Sequence, residues 1–127
     1  MHNWTPLPCQ TIVLRVLKNL QSIHPKTDKA TSAAFMRRAK MSGKDEDGLS
    51  VSITPAELPE TLAAEWRCKG IVSLHVGCIR EIDLDVLQTS TTHAVIVKLP
   101  YSEDNALEAE RLAGLLAQQS RTVWLPE

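Results

Sequence analysis

The chain of 127 residues has five glycines, three cysteines, one Phe and one Tyr, and these scarcities remove several function classes. The glycines are dispersed, so neither a Gly-x-x-x-x-Gly-Lys phosphate cradle nor a Gly-x-Gly-x-x-Gly dinucleotide fingerprint is present. Cys9, Cys68 and Cys78 are odd in number and lack a Cys-x-x-Cys spacing. That argues against a disulfide framework and a zinc ribbon, and favours reduced thiols behaving as small hydrophobes. No apolar run approaches the roughly eighteen residues of a membrane-crossing helix. The start, Met1-His2-Asn3-Trp4, lacks the basic and apolar regions of a signal peptide, so a cytoplasmic protein with no membrane association is expected. A formal net charge of -1 excludes a uniformly basic nucleic-acid binder and an acidic disordered tail.

That near-neutral total hides an asymmetry. Residues 15–44 carry eight Lys or Arg against one Asp, a net +7, and nearly all the acidic residues follow. The densest part holds Arg37, Arg38, Lys40 and Lys44. Such a segment suits an acidic protein surface or a phosphate-bearing ligand, where the planar arginine fork binds two oxygens at once. The same residues could equally be scattered over several solvated elements.

Hydropathic periodicity outlines the secondary structure. Residues 9–20 place Val13, Val16, Leu17 and Leu20 at helical spacing after Pro8, which predicts a helix; the alternation of Ile12, Leu14 and Val16 also fits a strand. Residues 21–33 read as a connection, Ala34 to Arg37 as a short extended piece, and the charged stretch 38–47 as an exposed loop. Leu49, Val51 and Ile53 alternate with Ser50 and Ser52, the pattern of a half-buried strand. Thr54-Pro55-Ala56-Glu57 spells a capping box for a helix whose main part runs over 59–68, with Leu58, Leu62 and Trp66 on one face. Strands are predicted at 71–76, with Ser73 and His75 outward, at 82–86, and at His93 to Leu99, the last apolar enough to lie inside its sheet. Ser102 is the expected cap of a final helix burying Ala109, Leu112, Ala113 and Leu116. Residues 121–125 suit an edge strand. The whole chain, 1–127, is therefore expected to be a single α+β domain, with a mixed sheet of about four to six strands and two or three helices packed on it.

Chemistry-bearing residues are sparse. His75 and Cys78 form only half of a metal site, so no metal and no cofactor is expected. Ser50 and the cysteines could serve as nucleophiles, with His93, His24 or His75 as base and Asp45 or Asp47 orienting it, but no Gly-x-Ser-x-Gly elbow supports such a triad. What remains is a polar set at strand ends and outward faces: Ser32, Arg37, Arg38, Ser50 and His93. Were these neighbours, arginine would hold an anion, a serine hydroxyl would orient it, and His93 would move a proton near neutral pH. Ordinary strand-edge residues bonded to backbone would look the same.

Several short motifs occur in a particular order: Ile23-His24-Pro25, Thr31-Ser32-Ala33-Ala34-Phe35, Lys44-Asp45, Gly48-Leu49-Ser50-Val51, Ile53-Thr54-Pro55-Ala56-Glu57 and His93-Ala94-Val95-Ile96. Over residues 22–99 this order resembles a group of small uncharacterised bacterial proteins. Asp28-Lys29-Ala30 departs from the Gly-Arg-Val common in that group. The resemblance implies a shared fold and marks Ser32, Phe35, Asp45, Ser50 and His93, without naming a reaction. The expected function is a protein-binding or accessory module using the basic segment around residues 37–44, its partner either a protein encoded nearby or a larger complex. The competing expectation is a small enzyme or sensor acting on a nucleotide or RNA end, with Arg37 or Arg38 on phosphate, Ser50 orienting and His93 as acid or base.

Overall fold

The structure is a computed structural model, and it describes residues 4–36, 48–54, 56–65, 67–102 and 104–126. Its frame is a seven-stranded sheet in the order β1-β5-β6-β3-β2-β4-β7. The strands are β1 (Thr5–Pro6), β2 (Ile12–Leu17), β3 (Leu49–Ile53), β4 (Gly70–His75), β5 (Asp85–Gln88), β6 (His93–Val97) and β7 (Arg121–Trp124). Among the described residues three α-helices accompany them: α1 (Pro59–Glu65), α2 (Val76–Glu81) and α3 (Ala106–Gln119). The α+β class agrees with the sequence. The sheet, however, has more strands than expected, and every pairing is antiparallel rather than mixed.

The added strands come from the chain's start. The predicted helix over 9–20 is instead β2, which pairs along its whole length with β4, from Ile12 opposite His75 to Leu17 opposite Gly70. Val13 and Leu17 enter one core cluster and Leu14 the other. A strand buried on both faces loses its two-residue polar alternation, and its apolar residues then match helical spacing equally well. The short β1, two residues long, leaves no periodic pattern in the sequence.

Three local readings also change. Residues Ser32–Phe35 form a 3-10 turn rather than an extended piece, and it carries Phe35 to complete burial. Thr54 does not begin a helix. Its hydroxyl and its amide both donate to the Ile12 carbonyl, at 2.9 and 3.1 Å, stitching the end of β3 to β2. The regular helix begins at Pro59 and ends at Glu65, leaving Leu58 half exposed and Leu62 buried; Trp66 and Pro55 lie outside the described residues. Asn105, not Ser102, caps α3, its side chain accepting the Glu108 amide at 3.2 Å. The remaining elements stand close to their predicted places: β3, β4, β6, β7 and the buried stripe of α3. The strand predicted over 82–86 moves to Asp85–Gln88, after Asp83 turns the chain at φ 64.

The two faces of the sheet are treated differently. On the inner face Val13, Val51, Val72, Leu74, Val86 and Ile96 pack with Phe35, Ile79, Leu112 and Leu116, so that α2, α3 and the Ser32–Phe35 turn close over it. On the outer face the core is small: Leu14, Leu62, Cys68 and Ile71, with Val16, Ala63 and Trp124 at its margin. Thus α1 covers the β2–β4–β7 half. Over the β5–β6–β3 half, Leu87, Val95 and Val97 are only half-buried, and Ser50 and His93 are exposed.

Candidate functional site on the outer sheet face

The pairing of β3 with β6 builds this surface. Ser50 stands opposite Val95 and Ser52 opposite His93, while Leu87 of β5 stands opposite Val95 on its other side. Side chains alternate across a pleat, and Leu49, Val51, Ala94 and Ile96 all point to the inner core. Ser50, Ser52, His93, Val95 and Leu87 therefore share the outer face. Ser50 and His93 are diagonal neighbours, a relation that sets them roughly 7–8 Å apart. Ser52, between them and the covered half, is buried to 7% exposure.

His93 is held by the turn that precedes it. The Ser90 hydroxyl accepts the amides of Thr92 and His93 at 3.3 and 3.1 Å, and the His93 carbonyl accepts the amides of Thr89 and Ser90. Its ring Nδ1 is hydrogen-bonded to the Thr92 hydroxyl at 2.8 Å. The serine and threonine run that reads as a loop is thus a hydroxyl-closed turn that fixes the orientation of the imidazole.

The other sequence candidates go elsewhere. Ser32 lies in the 3-10 turn on the inner side, bordering a shallow, open depression with Ala33, Met36, Ser102 and Glu110. Phe35 is core. The structure therefore brings Ser50 and His93 together and separates both from Ser32 and Phe35. Arg37, Arg38, Lys40, Lys44, Asp45 and Asp47 lie outside the described residues, as does the predicted loop 38–47. The basic segment is attached at two buried points. Phe35 precedes it, and Gly48 follows it so close to β6 that a Cβ there would meet the Ile96 carbonyl oxygen at 2.3 Å.

Two arginines that sequence reasoning passed over make five directed polar contacts between separate elements. Arg15, inside the apolar β2, donates from Nε to the Ala34 carbonyl at 3.1 Å and from Nη1 to the Ser50 carbonyl at 2.8 Å. The β2–β3 ladder registers only Val13 with Ile53 and Leu14 with Ser52. Beyond them the guanidinium supplies the donor that Ser50 would otherwise take from a strand. A charge inside an apolar strand is the signal that could have revealed it.

Arg80 of α2 donates from Nε to Asp85 Oδ1 at 2.9 Å, from Nη1 to Cys9 Sγ at 3.1 Å, and from Nη2 to the Leu7 carbonyl. It ties β1 and β5 to the helix. Burial pushes the Asp85 carboxyl up, but the bonds from Arg80 and the Val86 amide outweigh it and hold the carboxyl below its ordinary value. Arg80 is raised in turn, mainly through its bond to Asp85.

His75 ends β4 exposed and Cys78 sits half-buried in α2. Among the described residues, no group of three His, Cys, Asp or Glu side chains could hold a metal ion, and no helix is long and apolar enough to cross a membrane. Comparison with protein-family models, curated proteins and solved structures finds no match to this chain.

Proposed function

We propose that the chain is a small protein-binding or accessory module. Its contact surface is the outer face of β5, β6 and β3, around Leu87, Val95, Ser50 and His93, and the basic segment 37–44 supplies charge for the partner. One observation carries this reading. Among the described residues no helix covers half of one sheet face, and that half bears an apolar row, Leu87 and Val95, beside exposed Ser50 and His93. Protein contacts favour that composition, an apolar centre with a polar rim. The basic residues Arg37, Arg38, Lys40 and Lys44 precede β3 in the chain, and their charge favours an acidic partner and electrostatic steering toward it. The motif order over residues 22–99 supports the same region, since it marks Ser50 and His93.

The test is co-elution with the protein products of adjoining genes, at low and at moderate salt. A complex that weakens as salt rises and is lost on Arg37→Glu with Arg38→Glu supports the proposal. A chain that passes through with none of those products contradicts it.

The second reading is a small enzyme or sensor for a nucleotide or RNA end. It draws on the placing of Ser50 and His93 on one face, where a hydroxyl could orient a phosphate and the imidazole could move a proton. A nucleotide at a hundred times its dissociation constant would stabilise the fold by about 2.7 kcal/mol. A melting-temperature rise that disappears in His93→Ala would support this reading. A nucleotide panel without any such rise removes it.

A further inference from the structure

We draw no further inference here: the strongest candidate, the exposed Cys9 thiol held 3.1 Å from the Arg80 guanidinium where β1, α2 and β5 meet, is a lone cysteine with no second observation among the described residues that points to a ligand.

Discussion

The inner and outer faces of the sheet are built from the same strands and end in different states. The inner face gathers nearly all the long apolar side chains, including Phe35, Ile79, Ile96 and Leu116, each fully buried. The outer face has a small cluster under α1 and, beyond it, a half-buried row that continues into polar residues. Burial supplies stability roughly in proportion to apolar area removed from water. The inner face therefore holds the fold together, and the outer β5–β6–β3 surface is largely released from that duty. A protein can alter such a surface without unfolding, which is why the proposed contact site is put there.

The sharpest way to break this comparison is to remove one apolar side chain from each face. Phe35→Ala leaves a cavity between the sheet and α3 and should cost about 3–5 kcal/mol in urea unfolding. Val95→Ala should cost less than about 1 kcal/mol. Equal losses would mean that the outer row is core after all.

Gly48→Ala comes next. The added methyl would press on the Ile96 backbone, which has no rotamer to move away. A loss of about 3 kcal/mol is expected from overpacking at the β3–β6 junction. A variant that melts with the wild type would show that the junction is looser than described.

Arg15→Met tests the link from β2 to the Ser32–Phe35 turn and to β3. It keeps the aliphatic stem but leaves the Ala34 and Ser50 carbonyls without their donor, and should cost about 2 kcal/mol. Arg121→Met, at an exposed edge position, should stay within about 0.5 kcal/mol. Comparable losses in the two variants would assign the Arg15 effect to charge alone.

The smallest of these effects is pH-dependent. Because the folded Asp85 carboxyl lies below its ordinary value, its contribution is complete above about pH 3.9, the unfolded value, and is lost as pH falls through the folded one. Asp85→Asn should lower stability by about 1 kcal/mol at pH 7, with the gap to wild type closing in strong acid. A gap that widens toward acid would contradict the pairing with Arg80.

The sequence displays some of this and conceals the rest for physical reasons. Strands with one wet face, such as β3 with Ser50 and Ser52 between apolar residues, keep the alternation that announces them, and α3 keeps its buried stripe. The doubly buried β2 does not, and it reads as a helix. Thr54 illustrates a different limit. Its motif predicts a helix cap, yet a carbonyl forty-two residues earlier in the chain takes the hydroxyl. Ser50 and His93 could each be recognised as outward residues, but only the β3–β6 register makes them neighbours. The sequence groups Ser32 with them, but the 3-10 turn carries it to the opposite side. Arg80 joins residues more than seventy positions apart, a contact that no local pattern encodes.

The most direct test of the central claim is the affinity of Val95→Arg for the co-eluting partner, set against the melting temperature of the same variant. A loss of binding of at least about tenfold, equivalent to about 1.4 kcal/mol, with melting nearly unchanged, is the predicted result. Unchanged binding in a folded variant would contradict the assignment of the outer β5–β6–β3 face as the contact surface.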